Sequence, residues 1–435
     1  MGSLTGYGTE AFGRTLTAAQ ARALALEFNR TYLAAKEDVR SAGADVTKAK
    51  SGALPEITAS AYYDRNFQIP SFFVSSTNDQ GVTETMEFKT GFKNSFGGNL
   101  AITQSIWQGG KVFTAYSIAK DYAKYANEVS SQVERYVVFR ADSSFYSVAL
   151  HLAQLEVLRK SHEAAVQNLT SVEQRFSQGA ASEFEVLRAS VEKLNLEPQI
   201  LQAESTLKLA KKSLKSFLGL DLKEDVEIVE EPVESHLAPL PSLEELTMVA
   251  LAARPEMAQA NLVTEMSRKA VRIARGDYFP ELRAVAAYDW QAQSDRMTLD
   301  QNTSSSWTAG LRLSVPIFRG GATRGAVTQA IVENNKAQLV KKQTEDDIRL
   351  QVEAALDGLL QAAEALKIQT TTIAQAEEGV RIADLRYESG VGTLLEVLSA
   401  RAALTQAREI MAQATFAFRV AKAGLKLATT LDLDN

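Results

Sequence analysis

Three histidines, His151, His162 and His236, are the only imidazoles in this 435-residue chain, and it has no cysteine. That scarcity removes thiol chemistry, disulfides and most transition-metal sites from consideration. His151 and His162 lie eleven residues apart in one helical stretch, and His162 falls on an apolar seam, which reads as packing. His236 has only acids as candidate partners nearby. Gly109-Gly110 and Gly320-Gly321 lack the Lys-Ser/Thr that completes a phosphate loop and read as turns from strand into helix. These residue types assemble no catalytic, metal or cofactor site. Glu396, three residues after Thr393, reads as a helix-start carboxylate favoured by the helix dipole, with Ser399 near one turn later.

Composition narrows the class further. With 45% hydrophobic and 23% charged residues the chain is of ordinary folded type. A net charge of −6 and a pI near 5.5 argue against a nucleic-acid partner, which needs concentrated Lys and Arg. No run of 18 apolar residues exists, so no transmembrane helix is predicted. The start, Met1-Gly2-Ser3-Leu4-Thr5-Gly6, lacks the basic and apolar regions of a signal peptide, leaving a cytoplasmic protein or a removed signal as alternatives.

The chain is organised around residues 111–178, which contain no Gly or Pro and predict one very long helix. Ala141, Phe145, Val148, Leu152, Leu155, Val166, Leu169 and Phe176 step by threes and fours, as in a coiled-coil seam. At 1.5 Å per residue such a helix is roughly 100 Å long. Moving forward 211 residues places Val352, Leu356, Leu359, Ala363, Leu366, Ile373, Val380 and Tyr387 on the same seam (352 less 141, 387 less 176). The flanks superimpose too. Trp107-Gln108-Gly109-Gly110 falls on Phe318-Arg319-Gly320-Gly321, and Phe176-Ser177-Gln178-Gly179 on Tyr387-Glu388-Ser389-Gly390. The chain is a tandem repeat.

Each repeat opens with shorter elements. Residues 17–50 predict a helix capped by Thr17, and residues 243–277 predict one interrupted at Arg254-Pro255-Glu256. After Pro55, Ile57, Ala59, Ala61 and Tyr63 alternate with polar residues, as on a strand with one apolar face. A long loop is predicted over 66–91, then a return strand with Phe96, Gly98, Leu100, Ile102 and Ile106 on the apolar face. Leu282, Ala284, Ala286, Tyr288 and Trp290, and the return strand Trp307, Ala309, Leu311, Leu313, Val315 and Ile317, repeat the hairpin. Gly179 and Gly390-Val391-Gly392 mark turns into returning helices over roughly 183–218 and 394–430, the first kinked or broken at Pro198. Residues 221–241, acidic and then proline-bearing, read as an irregular connector. The expected segments are 1–53 (N-terminal helical), 54–108 (first hairpin), 109–219 (long and returning helix), 220–242 (connector), 243–278 (helical), 279–319 (second hairpin) and 320–435 (second long and returning helix).

The strands are about as long as a tilted membrane-spanning strand needs. An open sheet edge in lipid leaves backbone groups unpaired, so four strands that enter a membrane must be completed by other copies. Two ordinary hairpins at the end of a soluble coiled-coil scaffold are the alternative. The duplicated order of elements, the two strand-to-helix junctions, Ala253-Arg254-Pro255-Glu256 and the run Tyr387 to Leu398 resemble the TolC family of outer-membrane efflux proteins over nearly the whole chain.

That resemblance implies a mainly α fold with a membrane β-barrel portion, in which a homotrimer forms a twelve-stranded barrel in outer-membrane lipid and an α-helical tunnel in the periplasm. It implies a passive exit duct, not an enzyme and without cofactors, serving a tripartite efflux or type I secretion system with a periplasmic adaptor and an inner-membrane transporter. Ile57, Tyr63, Leu100, Ile102, Leu282, Tyr288, Leu311 and Leu313 are then expected to face lipid. Glu396 and Ser399 are expected at the periplasmic constriction, with Tyr387, Gly390, Gly392 and Gly179 forming and packing the entrance turns. Tyr387 and Glu396 match the family's Tyr and first acid. Ser399 stands where a second acid is common, and Gly392 where an Arg link is found.

Overall fold

The computed structural model describes residues 14–77, 81, 83–230, 232, 239–300 and 302–431, so His236 lies outside the described residues. In chain order the elements are β1 (Arg14–Leu16), α1 (Ala18–Phe28), α2 (Arg30–Ser51), β2 (Glu56–Arg65), β3 (Ser71–Thr77), β4 (Thr83–Lys89), β5 (Asn94–Gln108), α3 (Lys111–Ser177), α4 (Glu183–Leu218), β6 (Val226–Ile228), α5 (Leu243–Ala253), α6 (Pro255–Gly276), β7 (Glu281–Ser294), β8 (Thr303–Ser314), α7 (Ala322–Glu388) and α8 (Leu394–Thr429). A displacement of 211 residues carries α3 onto α7 and α4 onto α8 at both ends (322 less 111, 388 less 177, 394 less 183, 429 less 218).

Two compact units result, one from the described parts of Met1–Val39, Ala126–Asn261 and Val340–Asn435, the other from Arg40–Tyr125 and Leu262–Leu339. In the first, each repeat packs its long helix against its own returning helix with matching residues. Ala141, Val148 and Leu155 of α3 share one buried cluster with Leu207 and Leu214 of α4, while Val352, Leu359 and Leu366 of α7 share another with Phe418 and Leu425 of α8. All ten positions repeat at the 211-residue displacement. The second unit holds a four-stranded antiparallel sheet in the order β2-β5-β7-β8 and a separate β3-β4 hairpin.

Several expectations are corrected. The helix over 17–50 is two helices, because Asn29 takes an extended conformation. Its amide donates to Ala25 O at 2.9 Å, its Oδ1 accepts from Thr31 N and Tyr32 N at 3.0 and 3.2 Å, and its Nδ2 donates to Phe217 O at 2.9 Å. One side chain thus closes α1, starts α2 and ties both to α4. The loop predicted over 66–91 contains the β3-β4 hairpin, where Phe72 stacks on Phe88. The connector contributes β6, which pairs in parallel with β1 and covers the fully buried Leu16. Helix α4 passes through Pro198 unbroken.

The seam also moves. Leu152, Val166 and Phe176 are exposed on the single chain, while Ala165, Asn168 and Val172 are buried. A straight α-helix drifts about 20° per heptad against a 3.5-residue repeat, which turns the buried stripe toward adjacent positions.

Asn29→Ala removes a helix start and a tether to α4 together. The expected loss is about 1–2 kcal/mol, read from thermal or denaturant unfolding of the purified protein.

Candidate functional site

The ladder registers decide which strand residues share a face. Ile57 pairs Ile102, which pairs Ala286, which pairs Ala309; two residues along each strand, Ala59, Leu100, Tyr288 and Trp307 form the next row. Ala61, Gly98 and Trp290 continue it, as do Tyr63 and Phe96. At the other end Ala284 pairs Leu311 and Leu282 pairs Leu313. All eight strand residues singled out from sequence therefore lie on one continuous apolar face. Tyr63 on Phe96 (4.8 Å) and Tyr288 on Trp307 (4.7 Å) are cross-strand aromatic pairs on it.

The opposite face carries Thr58, Ser60, Asp64, Ser95, Asn99, Thr103, Asp289, Gln291, Ser304, Ser306 and Thr308 by the same alternation. Asn99 Nδ2 donates to Asp289 Oδ1 at 2.6 Å, and Gln291 Nε2 to Ser304 Oγ at 3.1 Å. Ile106 departs from expectation: a bulge between Ser105 and Trp107 places Trp107, not Ile106, opposite Leu282.

At the strand-to-helix junction Gly109 has φ +60°, and a Cβ there would lie 2.5 Å from Gly276 O. Only glycine fits this approach. Lys111 then donates to Asp277 Oδ1 at 2.8 Å and Glu281 Oε1 at 2.9 Å. These hydrogen bonds push the Lys111 ammonium upward against burial.

The entrance turns belong to the first unit. Gly179 and Gly390 both take positive φ, 72° and 75°, and end α3 and α7 alike, with Ala180 N donating to Arg175 O at 2.8 Å and Val391 N to Arg386 O at 3.0 Å. Gly392 is required for space: a Cβ would stand 2.9 Å from Arg386 Cβ. Ser182 and Glu185 form a reciprocal capping box at the start of α4. Thr393 caps α8 by accepting from Glu396 N, but the Glu396 carboxylate does not reciprocate; its Oε2 lies 3.6 Å from Arg386 Nε. Glu396 and Ser399 are both exposed.

Tyr387 is buried in an apolar cluster with Val172, Ala189, Leu394, Val397 and Leu398, so both repeats contribute to one tip core. The Arg175 guanidinium lies 4.4 Å from the centre of its ring and donates to its carbonyl at 3.2 Å. Burial pushes the Tyr387 hydroxyl up, the Glu185 carboxylate adds to this, and Arg175 opposes it.

Sequence reasoning passed over Arg175, Arg386 and Arg401. The last donates to Ala164 O at 3.0 Å and Asp384 Oδ1 at 3.1 Å. Arg175 and Arg386 occupy the same place in the two copies, in the final turn of a long helix where basic side chains suit the dipole, and that repetition was a usable signal.

Arg254-Pro255-Glu256 is a second buried junction. Arg254 ends α5 and Pro255 begins α6. The guanidinium, 7% exposed, binds Glu256 at 2.7 and 3.2 Å and Gln351 Oε1 of α7 at 2.8 Å. Burial alone would raise the Glu256 carboxyl, but the hydrogen bonds from Arg254 and its own backbone amide, with the charges of Arg254 and Arg135, leave it lowered. Of the histidines, His151 Nδ1 is 3.0 Å from Gln154 Oε1, and His162 Nε2 is 3.7 Å from Glu197. No group of three or more His, Cys, Asp or Glu capable of holding a metal ion occurs among the described residues.

The chain thus combines duplicated helix pairs with a sheet that has one apolar face and outer edges without a ladder partner among the described residues. The family model described as outer membrane efflux protein matches residues 21–220 and 246–430, and the chain belongs to that family, the TolC family of outer-membrane efflux channels. It is 24% identical over 397 residues to the pyoverdine export outer membrane protein OpmQ of Pseudomonas aeruginosa, covering 90% of this chain and 80% of OpmQ. It is 20% identical to outer membrane protein TolC of Vibrio cholerae, covering 85% and 81%. The solved structure of the transmembrane channel CusC superposes with a TM-score of 0.78 at 19% identity, covering 95% of this chain and 91% of that one.

The depressed Glu256 carboxyl stabilises the fold above the ordinary Glu range, about pH 4.3, and that contribution is lost as pH falls through its folded value. Glu256→Gln is therefore expected to lower the melting temperature at pH 7 and to flatten its fall between about pH 5 and 3, measured by circular dichroism.

Proposed function

We propose that three copies of this chain form a passive exit duct of a tripartite efflux or type I secretion system, spanning outer membrane and periplasm and receiving cargo from a periplasmic adaptor and an inner-membrane transporter. The observation that carries this reading is the four-stranded sheet whose apolar face is continuous and whose two outer edges, on β2 and β8, have no partner among the described residues. Lipid offers no hydrogen bonds to such edges, so a membrane sheet has to close on itself. Four strands fall below the eight of the smallest bacterial barrels, and three copies supply twelve. Leu311, Leu313, Ile57 and Leu100 then meet acyl chains, and the hydroxyl-rich face lines the bore. Pyoverdine export by the relative OpmQ supports small-molecule cargo as one class.

The narrow end is assigned to the turns at Gly179 and Gly390. Threefold symmetry gathers three Glu396 carboxylates around one axis, where a confined mouth concentrates cations. The pairing of Glu396 with Arg386, both about half exposed, tempers that field. Ser399, one turn on, adds a polar ring without charge.

Recovery of the protein in the outer-membrane fraction, with β signal that persists in detergent until strong heating, is expected; a water-soluble monomer needing no detergent overturns the reading. Leu311→Arg is expected to impair assembly by about 2–4 kcal/mol if the residue sits near the bilayer midplane. In planar bilayers at low salt, Glu396→Gln is expected to weaken cation selectivity and Arg386→Gln to strengthen it, both with trimer retained. Unchanged selectivity in both variants removes Glu396 from the constriction.

A further inference from the structure

Register places Arg283 of β7 directly opposite Arg312 of β8 on the polar face. Like charges in that position repel. Arg283 is relieved on its own strand, where Glu281 Oε2 lies 3.3 Å from its Nη2. Glu281 is already engaged, since its other oxygen accepts from Lys111 at 2.9 Å. Arg312 is exposed on the outermost strand and makes no ion pair or side-chain hydrogen bond among the described residues. The same holds for Glu56, the first residue of β2, the strand at the opposite edge.

The two edges without a ladder partner among the described residues carry opposite charges, Arg312 on β8 and Glu56 on β2. Alternation along β2-β5-β7-β8 is antiparallel throughout, so β8 of one copy meets β2 of the next in antiparallel sense as well. A closing ladder that keeps Leu311 and Leu313 on the same face as Ile57 and Ala59 has to put Arg312, Gly310 and Thr308 on the face of Glu56, Thr58 and Ser60, because slipping by one residue would turn every side chain over. Pro55 precedes β2, and Pro316 stands two residues beyond Ser314, the last residue of β8. Proline cannot donate to a ladder, so both prolines bound it. They do so at one end of the sheet, since Glu56, Thr103, Val285 and Gly310 are successive partners across it. A closure in which both strands end at their prolines brings Glu56 of the next copy among the last residues of β8. There parity sets it opposite Ser314 or Arg312, both within reach of the Arg312 guanidinium, directly or on the diagonal. The only other acid on the polar face of β2, Asp64, lies at the far end of the strand.

We propose that Arg312 of one copy pairs with Glu56 of the next across the β8–β2 seam, and that this charge pair sets the register in which the copies close. The proposal rests on the trimeric duct reading and names its subunit contact. Arg283 has Glu281 within its own copy, whereas Arg312 gains its acid on assembly, so the closed form gains what the single chain lacks.

The test is a charge swap in the full chain. Arg312→Glu and Glu56→Arg each set like charges together at the seam and are expected to lower the temperature at which the detergent-stable trimer dissociates on a gel-shift series. The double variant is expected to restore it toward wild type. Because the chain has no cysteine, Glu56→Cys with Arg312→Cys is expected to give covalent dimers and trimers with a short bismaleimide, while either cysteine alone gives none. A swap that is additive rather than restoring, with no cross-linking, overturns the pairing while leaving the trimer in place. A wild-type protein that is no trimer overturns the duct reading and this proposal together.

Discussion

Backbone hydrogen bonding at the sheet edges is the constraint on which the rest depends. Strands β2 and β8, of 10 and 12 residues, each present one side without a ladder partner among the described residues, and every residue of both is exposed. In water such edges are a liability that soluble proteins blunt with charges, prolines or coverings. Here the neighbouring face is Ile57, Leu100, Tyr288, Trp307, Leu311 and Leu313, apolar side chains that themselves call for a cover. A surface of that kind is stable where lipid covers the face and another strand covers each edge. The same requirement explains why the two repeats contribute to one sheet: β5 of the first repeat pairs with β7 of the second.

The helical unit solves a different problem with the same duplication. Matching residues pack each long helix on its returning helix, and the tip then joins the repeats through Tyr387 and Arg175. The tip is not symmetric. Ser182 and Glu185 satisfy each other at the first turn, whereas Glu396 is released from its cap toward Arg386, and Tyr387 is buried where the first copy has an exposed Phe176. Duplicated sequence thus yields one closed turn and one whose charges remain half exposed to solvent.

Much of this was legible from residue order. Helix ends marked by Gly179 and Gly390, the cap at Thr17 and the period-two strand after Pro55 are local signals, and local physics determined them. What escaped depended on tertiary partners. Asn29 breaks a helix because Phe217 and two amides satisfy its side chain, and none of these partners is visible in a run of Ala, Leu and Glu. Strand β6 exists only because β1 lies beside it. The bulge that exchanges Ile106 for Trp107 is a property of the ladder. At the tip, Glu396 stood out as an acid at a helix start, yet its partner Arg386, ten residues earlier, comes near only through the turn at Gly390 and Gly392.

Closure of identical copies into one barrel is the central claim, and the mass of the assembly tests it most directly. Native mass spectrometry of protein extracted from outer membranes and released from detergent micelles is predicted to give the mass of three chains of 47.4 kDa each. A species of one or two chains, stable and with its β content intact, would contradict the account.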